Sequence, residues 1–120
     1  MPSKQSYTDF SYLQQFTKGD TGRIAKYLEM YLSSAPAVID ELASELDLGN
    51  YENLRLKAHS IKPQVQYLGI VSLKEVLMEI EHIIRQEADR SKLGELVRQA
   101  QEISEGAKAE INAYLGRQQF

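Results

Sequence analysis

Apolar residues recur along this chain at steps of three and four, and strand-like alternation of apolar and polar residues is nearly absent. That pattern belongs to helices packed on one face, and it predicts an all-α protein. The longest stripe runs Ile24, Leu28, Tyr31, Ala35, Val38, Leu42 and Leu46. Pro36 falls inside it, where a proline normally kinks or breaks a helix. The stripe keeps its phase across Pro36, which favours a kink or a tight restart over a loop. Ahead of it, Thr8 or Asp9 can cap a short helix carrying Phe10, Leu13 and Phe16, closed by Lys18-Gly19. Asp20 or Thr21 then caps the long helix.

Leu48-Gly49-Asn50 ends the long helix, and a third is expected from about Tyr51 to Leu68, stopped by Gly69. Ser72-Leu73-Lys74-Glu75 has the spacing of a capping box. The next helix would bury Leu73, Val76, Leu77, Ile80, Ile83 and Ile84. After a polar stretch from Glu87 to Ser91, Leu93, Leu96, Val97, Ala100, Ile103, Ala107, Ile111 and Leu115 define the last. Each long helix has a single apolar stripe and the connections are short. The expected fold is an antiparallel four-helix bundle with a short additional N-terminal helix. It is expected as one domain over residues 1–120, with its core from about 8 to 115. Tyr27 and Tyr31 are expected in or beside the core, and Met30 and Met78 in packing. Glu102, Glu105 and Glu110 read as a solvated face, and the tail from Gly116 to Phe120 as frayed.

Composition narrows function more than fold. A chain of 120 residues suits one compact core. It holds no cysteine, which excludes a disulfide framework and a thiolate zinc site. The first residues show no apolar signal-peptide core, and no run approaches the roughly 20 apolar residues of a bilayer span. A cytoplasmic protein without membrane association is expected. The net charge of −3 argues against nonspecific nucleic-acid binding. Gly19 and Gly22 are too few for a phosphate-binding loop, so no ATP site and no kinase activity of its own are expected.

The candidate chemistry lies at His59, within Leu54-Arg55-Leu56-Lys57-Ala58-His59-Ser60-Ile61-Lys62-Pro63-Gln64-Val65-Gln66-Tyr67-Leu68-Gly69. A helix turns roughly 100° per residue. Leu54, Ala58, Ile61, Val65 and Leu68 then cluster opposite His59 as the core face. Arg55, Lys62 and Gln66 flank the imidazole on one side, and Leu56, Pro63 and Tyr67 on the other. A solvent-facing histidine bordered by cations suits the carrying of a phosphoryl group, and the exposed apolar strip suits a docking protein. Pro63 has no N–H, so the His59 carbonyl four residues back loses its helical partner, and a bend between the two is expected. The bland alternative is an ordinary surface histidine beside a solvated lysine.

The string Ala58-His59-Ser60-Ile61-Lys62 followed by Leu68-Gly69 resembles the signature of histidine-containing phosphotransfer (HPt) domains. Asp9-Phe10-Ser11-Tyr12-Leu13, Lys18-Gly19-Asp20 and the proline-bearing second helix extend the resemblance to roughly residues 8–115. The resemblance implies that His59 accepts a phosphoryl group from the aspartyl phosphate of a response-regulator receiver domain and passes it to another receiver's aspartate. Lys62 would offset the phosphoryl charge, and Arg55, Leu56, Pro63, Gln66 and Tyr67 would form the docking face. It implies no cofactor in this chain, with Mg2+ on the receiver, and a hybrid histidine kinase upstream. The position after the lysine is commonly a small residue in the family; here it is Pro63. Nothing in the sequence signals an oligomer, so a monomer is expected.

Two other readings stand beside this one. Glu79-Ile80-Glu81-His82 supplies one Glu-x-x-His, a spacing used in di-iron bundles. Such sites need a second copy and further glutamates, and the chain has only two histidines. The other is a plain adaptor bundle that binds a signalling partner without chemistry.

Overall fold

The computed structural model describes residues 6–117. Six α-helices occupy most of them: α1 (Ser11–Thr17), α2 (Thr21–Asp47), α3 (Tyr51–Ser60), α4 (Lys62–Tyr67), α5 (Val71–Arg85) and α6 (Leu93–Arg117). A single 3-10 turn, Arg90–Lys92, leads into α6, and no strand occurs among the described residues. Helices α2 and α5 face each other across the bundle, each packed against α3 and α6. Short turns at 48–50 and 68–70 reverse the chain between successive corners. The core between them is built from Leu28, Tyr31, Ile39, Leu54, Leu68, Leu73, Leu77 and Ile80, all essentially sealed from solvent.

Helix α2 starts where expected. The Asp20 carboxylate accepts the Arg23 backbone N–H at 3.1 Å, satisfying one of the free amides of the first turn. The helix continues unbroken through Pro36. The buried stripe differs from the expectation in one step: Ile39 is buried, while Val38 and Leu46 are only partly covered. Positions 38 and 39 flank the centre of the stripe on opposite sides, each within about 60° of it, and the neighbouring helices cover Ile39. Tyr31 lies wholly inside, and burial pushes its phenol up to about 12, with Ser104 of α6 beside it. Met30 and Met78, expected in packing, are half exposed.

The third helix is not one helix but two. It ends at Ser60 and restarts at Lys62, with Ile61 between them at φ −100°, ψ −1°. Pro63 is the cause. Its ring and missing N–H are incompatible with a helix interior but tolerated in a first turn, and the restart places it there. Ile61 stays buried, so the break costs no core contact.

Two further expectations fail. Ser72 and Glu75 form no capping box; α5 begins two residues earlier than that box requires, with buried Ile70 at its N-cap position and no side-chain cap. Burying Ile70 outweighs the capping bonds. Glu110 is not on a solvated face. Its carboxylate accepts the backbone N–H groups of Tyr7 and Thr8, both at 2.8 Å, and the hydroxyls of Ser6 and Thr8. Burial raises the Glu110 pKa, but these donors outweigh it and hold the carboxyl below its ordinary value. The tail also departs: Gly116 and Arg117 still belong to α6, while residues 118–120 lie outside the described span.

Glu110 thus pins an N-terminal strap across the bundle. The Tyr7 ring fills the notch left by Gly106, where an added Cβ would stand 2.1 Å from it. Further along, the Asp9 N–H donates to the Leu68 carbonyl at 3.1 Å. Asp9 Oδ1 then accepts the Ser11 N–H and hydroxyl, which opens α1. The strap explains Gly69: its φ is +65°, and a Cβ would lie 2.1 Å from the Asp9 carbonyl oxygen. Gly69→Ala should lose about 2–3 kcal/mol in chemical denaturation, from the left-handed backbone and the displaced strap. A loss below about 0.5 kcal/mol would contradict this packing.

Candidate functional site

His59 stands on the last turn of α3, with 59% of its side chain exposed. Ala58 and Ile61 on either side of it are buried, which turns the imidazole outward as the stripe requires. The ring is not free, however. Its Nδ1 lies 3.0 Å from Oε1 of Glu81 on α5. Glu81 is a charged residue with a side chain only 4% exposed. Its other oxygen, Oε2, lies 2.8 Å from Lys62 Nζ on α4. That contact is an ion pair held by charge more than by hydrogen-bond alignment. Arg85, one turn further along α5, approaches Oε1 at 3.8 Å with its side chain 59% exposed.

The helix break sets this geometry. His59 belongs to α3 and Lys62 to α4, so the two side chains leave different helices and straddle one carboxylate. Burial pushes the Glu81 carboxyl up, but the Lys62 and His59 contacts outweigh it and hold it below its usual value. Glu81 is therefore an anion at neutral pH and can only accept. Its partner Nδ1 must carry a hydrogen, which leaves the lone pair of a neutral ring on Nε2, pointing to solvent.

The expected site residues separate into two groups. His59, Lys62, Pro63, Gln66 and Tyr67 line one groove of about 370 Å³, together with Lys74 and Met78 from α5. Arg55 and Leu56 do not line it. Arg55 is bound to Glu52 within α3, and Leu56 faces a separate hollow beside Glu45, Asn53, Lys57 and Ser60. At the end of the groove Tyr67 stacks with Tyr12 and Phe16 of α1, at ring distances of 6.0 and 6.2 Å. Phe16, which the sequence groups with Phe10 and Leu13 on one side of α1, joins this half-exposed platform. Its partners are rings already solvated on one side.

Sequence reasoning missed Glu81, Arg85, Lys74 and Met78. A signal for Glu81 was present: it stands four residues after Leu77 and three before Ile84, on the apolar stripe of α5. A carboxylate in that register must be buried, and a buried carboxylate needs cations. Attention to Glu79 and His82 hid it; both are exposed. Among the described residues no three acidic or histidine side chains converge on a possible metal position. No described helix is long and apolar enough to cross a membrane.

A helical bundle presenting a histidine oriented by a buried carboxylate and flanked by cations and an apolar platform has the features of a group carrier. Residues 26–115, three quarters of the chain, match the Hpt domain, and the chain belongs to that family. Hpt domains are phosphoryl carriers that relay phosphate with receiver domains of two-component systems, and histidine phosphotransfer is this chain's general role. No curated protein sequence matches it significantly. Among solved structures, histidine-containing phosphotransfer protein B (HptB) from Pseudomonas aeruginosa PAO1 has a TM-score of 0.84 at 18% identity. The match covers 95% of this chain and 98% of that one, and it shows the shared fold.

Glu81 carries a cost that suits a site better than a scaffold. Replacing a buried ion pair with an apolar residue of similar size is commonly neutral or stabilising, whereas removing one charged partner and stranding the other costs about 3–5 kcal/mol. His59, Lys62 and Arg85 can all reach water, so no charge would be stranded by losing Glu81. Glu81→Met should therefore unfold within about 1 kcal/mol of the parent, or above it, in urea titration at neutral pH. A loss of several kcal/mol would make Glu81 a structural residue.

Proposed function

We propose that His59 is the phosphoryl acceptor, taking its cargo from the aspartyl phosphate of one receiver domain and yielding it to the aspartate of another. The observation that carries this reading is the Glu81 carboxylate at 3.0 Å from Nδ1, which aims Nε2 outward on an exposed ring. The Nε2 lone pair attacks phosphorus, the bond from phosphorus to the aspartyl oxygen breaks, and the receiver keeps its carboxylate. The ring retains its Nδ1 hydrogen and becomes cationic as the N–P bond forms. That charge develops against Glu81, which is already in place to stabilise it. The receiver's aspartate returns the group by the reverse step.

Alignment and charge placement do most of the work in such transfers. This chain supplies the aimed nucleophile, the cations and the docking face; the receiver supplies the aspartate and its Mg2+. Lys62, Pro63, Gln66 and Tyr67 would meet the receiver along the groove, with Lys74 and Met78 added to them. Arg55 and Leu56 would lie to the side. We place a hybrid histidine kinase upstream, the protein in the cytoplasm as a monomer, and neither a resident cofactor nor an ATP site in the chain.

Incubation with a phosphorylated receiver should put an acid-labile label on the parent and none on His59→Gln, while receiver binding by calorimetry stays within about three-fold. An adaptor without chemistry would signal equally well with either chain; label surviving on His59→Gln would remove the assignment. In the same assay Glu81→Met should slow labelling about 10- to 100-fold, the usual cost of losing a carboxylate that orients a histidine. An unchanged rate would leave Glu81 without a role in the transfer.

A further inference from the structure

Helix α1 has seven residues, too few to hold a helix alone in water. Leu13 and Thr17 anchor one side of it in the bundle. A different side carries Tyr12 and Phe16, which stay 49% and 45% exposed. With Tyr67 they make three rings within 13° of parallel, their centres 6.0 to 6.2 Å apart. Tyr67 also lines the groove beside His59, so the platform continues that groove onto α1. Exposed aromatics of this kind carry much of the binding energy at protein interfaces. What fixes α1 there comes from α6, diagonally across the bundle from α3. Glu110 accepts hydrogen bonds from Ser6, Tyr7 and Thr8, Gly106 receives the Tyr7 ring, and Tyr114 meets Phe10 edge-on at 5.1 Å. The chain then runs from Phe10 straight into α1.

We propose that Glu110 is a positioning residue for receiver docking: from α6 it latches the strap, and the strap holds Tyr12 and Phe16 in line with the groove as part of the surface the receiver covers. The inference rests on the receiver-docking reading above. A carboxylate that accepts backbone N–H groups fixes where the strap lies, and charge strengthens each of those bonds. Leu13 keeps α1 attached when the latch is lost, so the rings shift while the core stays closed. Gly106 stands one turn before Glu110 on the same helix, so two separate substitutions reach the same strap.

The probe is a receiver domain charged with acetyl phosphate, taken from a set of receivers as one whose label the parent accepts. In Glu110→Ala the half-saturating receiver concentration for transfer should rise about five- to ten-fold, the loss from one displaced interface aromatic, with the maximal rate within about two-fold. Gly106→Ala, which expels the Tyr7 ring while favouring the helix, should do the same. In a chain already carrying Tyr12→Ser and Phe16→Ser, Glu110→Ala should add nothing, because its effect passes through those rings. Phosphoramidate phosphorylates the imidazole with loss of ammonia and needs no docking, so it should label Glu110→Ala and Gly106→Ala at the parental rate. An unmoved half-saturation in either variant, a further loss in the chain lacking the rings, or slowed phosphoramidate labelling overturns this proposal and leaves the acceptor assignment standing. A parent labelled by phosphoramidate but by no charged receiver overturns the functional reading, and this proposal with it.

Discussion

The site is organised around one buried anion. A carboxylate withdrawn from water is expensive unless cations and donors meet it, and Glu81 is met by Lys62 and His59 from two different helices. Because it accepts and cannot donate, it fixes which ring nitrogen holds the hydrogen. Because its side chain is buried on the apolar stripe of α5 and paired there, it is held in place where a surface carboxylate would wander. The fold thus supplies a charge of fixed position beneath a ring whose other nitrogen faces solvent.

That arrangement depends on the interruption between α3 and α4. On one continuous helix His59 and Lys62 would be successive residues of a single face, about 60° apart. With the restart at Ile61 they emerge from separate helices and converge on Glu81 from either side. Pro63 enforces the restart by denying the interior bond, and Ile61 stays in the core to hold the two pieces together. The end of α4 is fixed in turn by Gly69, whose close approach to Asp9 ties the strap, and with it α1 and its aromatic rings, to the same corner.

Much of this was legible in the sequence. The bundle followed from periodicity because each stripe is long and has one face. His59 could be turned outward by counting alone, and the proline predicted an irregularity at the right place, though a full restart was not foreseen. The failures share a cause. Glu81 stood on the apolar stripe, but the groups that neutralise it, like the amides that hold Glu110, come from about 20 and about 100 positions away, and a helical wheel knows nothing of those partners. The capping box at Ser72 failed for the same reason: Ile70 reached the core first. Phe16 and Tyr67 looked unrelated in sequence, and only the strap brings α1 over α4.

The exposure of the ring follows from what a carrier must do. A group that is received and then surrendered cannot be bound in a closed pocket, because tight holding would slow its departure as much as its arrival. With His59 as the proposed acceptor, Glu81 would answer the positive charge on the ring but repel the phosphoryl oxygens, so its effect on the loaded state would be partly self-cancelling. Lys62, paired with the same carboxylate, would reduce that repulsion. A group held only by an exposed ring nitrogen, above an anion whose charge is partly offset, would be given up about as readily as it is taken.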